Sequence, residues 1–265
     1  MVVPINPSSS VEAIILLIIL IDLNFSIKIK TFKRLDRELY KMLTNKQYQE
    51  IKDNLDGCKR PFFFFDDDQD GLCSFLLLYK YKNEGKGFIV KTSPKIDESF
   101  VRHVRIYNPD KVFILDIAIV EQEFLDDVKT PVVWIDHHTP LEREKVKYFN
   151  PRLKGDSVPT TYMAYNTVKD NIWLAMTGCV ADYHIPDFAK EFEKKYPDMI
   201  GKKYSNPGDI LYGGTQLGKL IRMLSFILKG KNDDVKRSIK VMTRIEDPYE
   251  ILNQESSQGK YLYKR

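Results

Sequence analysis

A dense group of carboxylates is the first feature of the sequence that could carry chemistry. Asp66, Asp67, Asp68 and Asp70 fall within five positions, and Gly71 follows them. Like charges at this spacing repel one another unless a cation lies between them. In an extended backbone Asp66, Asp68 and Asp70 project to the same side, and such hard oxygen ligands suit Mn²⁺ or Mg²⁺. An acidic surface loop is the alternative interpretation of this run.

Two adjacent histidines form a second candidate site. His137 and His138 follow Asp136 after the apolar run 132–135, and the whole chain contains four histidines. Imidazole nitrogens are common metal ligands, although a histidine pair on a loop is also ordinary polar surface. The position of this pair at the end of a predicted strand favours metal ligation.

The elements that position these side chains are indicated by the hydrophobic pattern. Four continuous apolar runs have the length of buried strands: 62–65, 88–90, 112–115 and 132–135. Three stretches with helical spacing alternate with them: 72–83, 96–107 and 120–128. This alternation predicts an α/β fold with a parallel sheet flanked by helices. Three runs are followed by aspartate (Asp66, Asp116 and Asp136), so we expect these residues to meet at the carboxyl edge of the sheet.

The order of these residues resembles the four motifs of the DHH superfamily of phosphoesterases. The matching residues are Asp68, Asp70, Asp116, the Asp136-His137-His138 triplet, and Asp182 in the segment 177–182. The resemblance covers about 61–186 and is similar in character to the RecJ-like exonucleases of archaea. It implies hydrolysis of phosphodiester bonds that depends on two divalent metal ions, with Mn²⁺ preferred and Mg²⁺ as the other candidate.

The resemblance also implies a role for each matched residue. The implied metal ligands are Asp66, Asp68, Asp70, Asp116, His137 and Asp182. Asp66 enters this set because many relatives carry a histidine just before the first metal-binding aspartate, where this chain has none. Asp116 would bridge both ions, and His138, with Asp136 orienting the histidine pair, would contact the phosphate. Two ions on one phosphate polarise its oxygens and activate water for in-line attack.

The domain organisation is expected to have three parts. Residues 1–60 would hold an apolar segment and lead-in helices, 61–195 the DHH phosphoesterase domain, and 196–265 a helical connector or the start of a truncated second lobe. The last part contains an apolar helix face with the residues Leu217, Leu220, Ile221, Leu224, Ile227 and Leu228. We expect this face to be free for a protein partner. The glycine-rich, histidine-containing loop of the usual C-terminal DHH-associated domain is not recognisable, since no histidine follows His184.

An apolar run at 13–21 leaves membrane association open. The run is short for a membrane span, and four basic residues follow it within 28–34 like a cytoplasmic flank. There are two other interpretations of this run. It is a buried segment, or the start codon is assigned upstream of a true start at Met42. The three cysteines are far apart and exclude a disulfide framework, which predicts a reducing cytoplasm.

The charge distribution indicates the class of partner. The net charge is +4, but residues 202–265 carry thirteen Lys and Arg against seven Asp and Glu, which leaves −2 for the rest of the chain. A basic tail favours single-stranded nucleic acid or a short oligonucleotide, and a solvated helical face is the alternative.

The predicted function is therefore RecJ-like exonuclease action, in a setting such as DNA repair. Two other functions stay open. One is a nanoRNA or cyclic-dinucleotide phosphodiesterase, and the other is a non-catalytic replication or repair scaffold that keeps the DHH fold.

Overall fold

A five-stranded parallel sheet forms the centre of the fold. The computed structural model describes residues 43–91, 95–201 and 203–265. The strands, in chain order, are β1 Pro61–Asp66, β2 Lys86–Val90, β3 Lys95–Ile96, β4 Lys111–Leu115, β5 Ile119–Val120, β6 Val132–Ile135 and β7 Val146–Phe149. The main sheet has the order β2-β1-β4-β6-β7, and β3 pairs separately with β5. All these pairs are parallel, so the predicted fold class is confirmed.

Helices pack around this sheet and continue beyond it. Helix α1 Asn45–Asp56 precedes β1, and the helices that follow the strands are α2 Gln69–Lys82, α3 Val101–Tyr107, α4 Gln122–Asp127, α5 Thr160–Val168 and α6 Ile172–Ala181. The C-terminal helices are α7 Ala189–Lys195, α8 Pro207–Tyr212, α9 Gln216–Leu228, α10 Asn232–Met242, α11 Pro248–Leu252 and α12 Ser257–Lys264. Their packing joins Leu43–Arg265 into one unit. The expected domain boundary at 195/196 stays a prediction.

Strand β1 is buried on both faces because four consecutive phenylalanines alternate between them. Phe63 stacks on Phe113 of β4 with ring centroids 5.3 Å apart, and Phe65 stacks on Phe75 of α2 at 4.4 Å. Phe64 packs edge-on against Phe124 of α4. A strand in the middle of a parallel sheet needs apolar side chains in both directions, which explains the continuous run. The strand is therefore fixed in register where it delivers Asp66 to the sheet edge.

Glycine at position 71 allows α2 to begin very close to the end of β1. A Cβ atom at Gly71 would lie 2.7 Å from the carbonyl oxygen of Asp66, which is closer than a side chain can come. The contact brings the first turn of α2 against the strand end. It thereby holds Asp68 and Asp70 beside Asp66.

Two sequence expectations about the elements were wrong. Residues 96–107 do not form one helix: Asp97 follows the short strand β3 and caps a 3-10 helix, Glu98–Phe100, through the backbone N–H of Ser99. Strand β7 was missed, because three of its four residues are exposed or partly exposed at the edge of the sheet. An edge strand does not need the continuous apolar run by which the other strands were recognised.

The apolar face of α9 is buried, and the expectation that it is free for a protein partner was wrong. Its six apolar residues at positions 217, 220, 221, 224, 227 and 228 are all at most 5% exposed. They pack against α2, α6, α8, α10 and α11 of the same chain. Phe226, on the other side of the helix, is 67% exposed. The sequence identified an apolar stripe correctly but could not say which surface covers it.

The described residues contain no helix that is both long and apolar enough to cross a membrane. The apolar run at 13–21 and the first expected lead-in helix, around Leu35 and Leu39, lie outside the described residues. The second expected lead-in helix is α1, which begins after Thr44 with a reciprocal capping box between Thr44 and Gln47.

Replacing Leu224 with alanine should lower the free energy of unfolding by about 2–5 kcal/mol, because the truncation leaves a cavity beneath α9. Phe226→Ala on the same helix is the matched control, and its exposed side chain should change the value by no more than about 0.5 kcal/mol. Urea denaturation followed by circular dichroism measures both variants. Equal and small effects would contradict the burial of this face.

Candidate metal centre

The structure brings all eight predicted site residues to the carboxyl edge of the main sheet. They are Asp66, Asp68, Asp70, Asp116, Asp136, His137, His138 and Asp182. Three overlapping groups have ligand atoms within 4.8 Å of one another: Asp66 with Asp68 and Asp116, Asp70 with His137 and Asp182, and Asp116 with His137 and His138. Residues separated by more than 100 positions in the sequence therefore form one cluster, which we call the acidic cluster.

The first part of the acidic cluster comes from the end of β1 and the start of α2. Asp68 is the N-cap of α2, and its Oδ1 accepts a hydrogen bond of 2.9 Å from the backbone N–H of Gly71. Asp66 accepts from the backbone N–H of Asp67 at 2.8 Å. Asp70 lies in the first turn of the helix and is buried. These bonds fix the carboxylates but leave further oxygen lone pairs for a ligand.

The carboxylate of Asp70 is held by the N-terminus of α5. Its Oδ2 accepts from the backbone N–H of Thr160 at 2.8 Å, and its Oδ1 accepts from that of Thr161 at 2.7 Å. The Thr161 hydroxyl also donates to the backbone carbonyl of Asp70 at 2.9 Å. The free N–H groups and the dipole at a helix start stabilise a buried anion. Sequence reasoning missed both threonines, although the Pro159-Thr160-Thr161 helix start was a signal for them.

Asp116 occupies the centre of the cluster in an unusual backbone conformation. Its φ of +60° lies in the left-handed region, which costs a non-glycine residue about 1–2 kcal/mol. The residue is 1% exposed, and its Oδ1 accepts from the Thr160 hydroxyl at 3.0 Å. The same oxygen lies 3.3 Å from Nε2 of His137. This conformation turns the carboxylate toward the other elements of the site at the point where β4 ends.

His137 has a buried nitrogen that the protein itself does not satisfy. Its Nδ1 has no hydrogen-bond partner among the described residues and lies 3.7 Å from Oδ2 of Asp182. Burial lowers the pKa of this histidine below its ordinary value, which favours the neutral ring with a free lone pair. An unpaired buried nitrogen is costly, and a cation between it and the neighbouring carboxylates would remove that cost. This observation supports the fit of the site to a divalent metal ion.

His138 is oriented by Asp136. The ring Nδ1 of His138 lies 2.7 Å from the Asp136 carboxylate, and its main-chain N–H donates to the same carboxylate at 3.0 Å. Asp136 also accepts from the Tyr148 hydroxyl at 3.2 Å and from Nδ2 of Asn150 at 3.3 Å. The bond to Asp136 raises the pKa of His138, so its imidazolium form is favoured. The sequence did not point to Tyr148 or Asn150 because it did not predict β7. This strand contains Tyr148 and ends directly before Asn150.

The electrostatics of the cluster favour bound cations. Burial raises the pKa of Asp66 and of Asp182 to about 7, with the negative charges of neighbouring aspartates acting in the same direction. Burial also raises the pKa of Asp68 and of Asp116. Carboxylates with an imidazole are a donor set that Mn²⁺ and Mg²⁺ accept. The residues present therefore fit divalent metal ions, while the number and identity of the ions stay a prediction.

Asp182 reaches the cluster from the C-terminal end of α6. The backbone N–H of Asp182 donates to the carbonyl of Gly178 at 3.0 Å and closes the last turn of the helix. A Cβ atom at Gly178 would overlap the Thr161 side chain, so glycine is needed where α6 crosses α5. The close packing of the two helices determines how far Asp182 extends toward His137.

Comparison with known protein families matches the part of the chain that contains the acidic cluster. The family model described as "DHH family, N-terminal domain" matches residues 62–200. No curated protein matches the sequence. Similar solved structures include RecJ in complex with Mn²⁺ from Thermus thermophilus, with 15% identity and a TM-score of 0.49, which covers 82% of this chain and 40% of that one.

Two other similar structures were found. An exonuclease RecJ bound to manganese has 14% identity and a TM-score of 0.49, covering 82% of this chain and 63% of that one. CDC45 from Entamoeba histolytica has 14% identity and a TM-score of 0.41, covering 60% of this chain and 39% of that one. The chain thus spans less than two thirds of the length of each of these three proteins.

Replacing Asp66 with asparagine should stabilise the metal-free protein at pH 8 but have little effect near pH 4. The folded wild type keeps the proton of Asp66 up to a pKa of about 7, whereas the unfolded chain loses it near the ordinary value of 3.8. The wild type therefore loses stability as the pH rises through this window, and the neutral amide avoids that loss. Because solvent reaches this carboxylate, we expect the substitution to raise the free energy of unfolding by only roughly 1–2 kcal/mol at pH 8.

Urea denaturation in the presence of a chelator at the two pH values measures this difference. The matched control is Asp67→Asn, which removes an exposed neighbouring charge that is only a lesser cause of the raised pKa of Asp66 and should therefore change the stability at pH 8 much less. A destabilised Asp66→Asn protein at pH 8 in chelator would contradict the repulsion within the cluster.

Proposed function

The chain belongs to the DHH family, and we propose on that premise that it is a metal-dependent phosphoesterase that hydrolyses phosphodiester bonds. The observation that carries the proposal is the acidic cluster, in which the buried carboxylates of Asp70 and Asp116 and the partly exposed Asp182 lie around His137 and its unsatisfied Nδ1. Such a cluster is unstable by itself and becomes stable with divalent ions. A non-catalytic scaffold with this fold would have no need of that arrangement.

The six proposed ligands would divide into two adjoining sets around Asp116. Asp66, Asp68 and Asp116 form one set, and Asp70, His137 and Asp182 form the other. Bound divalent ions supply Lewis-acid polarisation of the phosphoryl group and an activated water molecule. Thr160 holds Asp116 through its hydroxyl and Asp70 through its backbone N–H, so one residue positions a carboxylate of each set.

His138 is proposed to stabilise negative charge that develops on the phosphate. Its Nδ1 is engaged by Asp136, so Nε2 is the nitrogen available to donate to a phosphoryl oxygen. The raised pKa of His138 favours the imidazolium form, in which that nitrogen carries a proton. A fixed donor at a position of developing charge is a large contribution to catalysis in many enzymes.

Single-stranded nucleic acid or a short oligonucleotide is the proposed substrate, with RecJ-like exonuclease action. The support is the basic character of the C-terminal segment, where Arg222, Lys229, Lys236 and Arg237 are exposed. Lys and Arg that contact phosphates release counterions, so binding should weaken as salt is raised. Hydrolysis of dinucleotides or cyclic dinucleotides in preference to longer strands would instead favour the nanoRNA or cyclic-dinucleotide alternative.

The wild-type protein should hydrolyse labelled single-stranded DNA or RNA with Mn²⁺ and not with chelator. Asp116→Asn should lower the rate by at least about 100-fold, because the carboxylate that lies between the two sets loses its charge. The hydrogen bond from Thr160 can persist in this variant. Gel electrophoresis of the labelled products measures both. Asp67→Asn is the matched control and should cleave like the wild type. A folded wild-type protein that binds Mn²⁺ but hydrolyses neither polymer nor dinucleotides would favour the scaffold.

His137→Ala and His138→Ala should have different effects on metal content. His137→Ala should lose bound Mn²⁺, because an imidazole within the cluster is removed. His138→Ala should retain the metal and lower turnover by about 100- to 1,000-fold, the usual cost of losing one donor to a developing charge. Metal analysis of the purified variants by mass spectrometry, together with rate measurements, separates the two. Equal losses of metal would contradict this division of roles.

A further inference from the structure

An exposed tyrosine follows the acidic cluster directly in the chain. Tyr183 comes immediately after Asp182 and is 61% exposed. Its φ of +60° lies in the left-handed region, which bulky residues rarely adopt. Two of the described non-glycine residues with positive φ are associated with the acidic cluster. Asp116 belongs to it, and Tyr183 directly follows its member Asp182 in the chain. Unfavourable backbone conformations of this kind concentrate at functional sites.

The neighbouring helix leaves room for the Tyr183 ring. A Cβ atom at Gly208, in the first turn of α8, would lie 3.0 Å from the Tyr183 hydroxyl oxygen. The ring therefore extends from the end of α6 to the start of α8. Glycine at position 208 allows this approach, and the side chain still keeps most of its surface in solvent. An exposed aromatic residue thus follows a proposed metal ligand directly in the chain without being used in the core.

A second exposed aromatic residue is connected to the acidic segment through its chain neighbour. Phe226 of α9 follows Ser225, whose hydroxyl accepts a hydrogen bond from the side chain of Gln69. Gln69 stands between Asp68 and Asp70 in the chain, so this bond joins α9 to the acidic segment. Phe226 is 67% exposed even though the six residues of the apolar face of its helix are buried. We refer to Tyr183 and Phe226 together as the flanking aromatics.

Two exposed arginines supply positive charge on the same elements or near the cluster. Arg222 is exposed one helical turn before Phe226 on α9, and one of its guanidinium nitrogens donates to the carbonyl of Leu211 at 2.6 Å. Arg152, in the 3-10 helix Pro151–Lys154, places a positive charge near both His137 and Asp182. The segments that adjoin the cluster thus carry exposed aromatic rings and cationic groups. A ligand that matches this surface has flat apolar rings joined by anionic groups.

We propose that the flanking aromatics stack on the bases of a single-stranded oligonucleotide whose scissile phosphate lies at the acidic cluster. The inference rests on the proposed function and specifies how the substrate is bound. Stacking suits this task because every base has a π face, so the contact tolerates any sequence. A separate protein would require a continuous apolar patch, whereas Tyr183 and Phe226 are single rings on different elements beside cationic side chains. The ligand is therefore a nucleotide chain, with Arg222 and Arg152 attracting its phosphates.

The first test detects stacking without hydrolysis. The probe is a single-stranded DNA with 2-aminopurine at its two terminal positions and non-hydrolysable methylenephosphonate linkages, titrated with the full chain in Mg²⁺. Stacking on an aromatic ring quenches 2-aminopurine fluorescence. We expect quenching by the wild type and by Tyr183→Phe, and loss of much of it in Tyr183→Ala and Phe226→Ala. The control is Ile106→Ala, which truncates a still more exposed apolar residue on α3, before β4, and should quench like the wild type.

The second test uses the rate of hydrolysis in Mn²⁺. The ratio of kcat/KM for a thymidine oligonucleotide to that for an abasic strand of equal length isolates the contribution of the bases. Each alanine variant should lower this ratio by about 5- to 150-fold, which corresponds to the range measured for stacking of one base. If the aromatic side chains had only a structural role, the alanine variants would lower kcat/KM equally for the thymidine and the abasic strand, and the ratio would not change.

The outcomes separate this inference from the proposed function. Alanine variants that quench like the wild type and keep its rate ratio overturn the stacking proposal, even if hydrolysis is confirmed. Quenching that depends on both aromatics, in a protein that hydrolyses no strand, supports stacking and contradicts the phosphoesterase proposal. Circular dichroism of each variant verifies folding, and because the two aromatics are on different elements, one variant suffices if the other does not fold.

Discussion

The bond between Asp70 and the N-terminus of α5 connects most of the site. Two backbone N–H groups of α5 bind the two oxygens of this buried carboxylate, so the start of α2 cannot shift relative to α5. Thr161 in turn packs against Gly178 and so determines the distance between α5 and α6. Asp182 at the end of α6 then reaches His137. The contacts of the Asp70 carboxylate thereby fix the positions of α2, α5 and α6 relative to the end of β1.

The same arrangement places like charges where they repel one another. Burial and mutual repulsion disfavour the ionised forms of Asp66, Asp68, Asp116 and Asp182, and helix N-terminal dipoles compensate only part of that effect. A protein selected for stability alone would not concentrate carboxylates in this way. The arrangement is understandable if the fold is completed by cations, since the energy of binding them then offsets the repulsion.

The sequence predicted the parts of the site that depend on local pattern. Apolar runs identified the strands, and the aspartates after three of them marked the edge where the site lies. The parts that depend on tertiary contact were not predictable in this way. Thr160 and Asn150 act because a distant carboxylate needs donors, and the sequence near them does not show which carboxylate that is. The α9 face shows the same limit, since an apolar stripe has the same pattern whether its own chain or another protein covers it.

The run of four phenylalanines in β1 has a consequence for the chain before it folds. A continuous aromatic segment with high β propensity is an aggregation hazard while it is exposed during synthesis and folding. In this chain it is flanked by Lys59 and Arg60 on one side and by the aspartates 66–68 on the other. Charges at the ends of such a segment act as gatekeepers that oppose intermolecular β pairing. The carboxylates of the proposed catalytic site thus also keep the nascent chain soluble, so replacing them with neutral residues removes a protection that acts before the site exists.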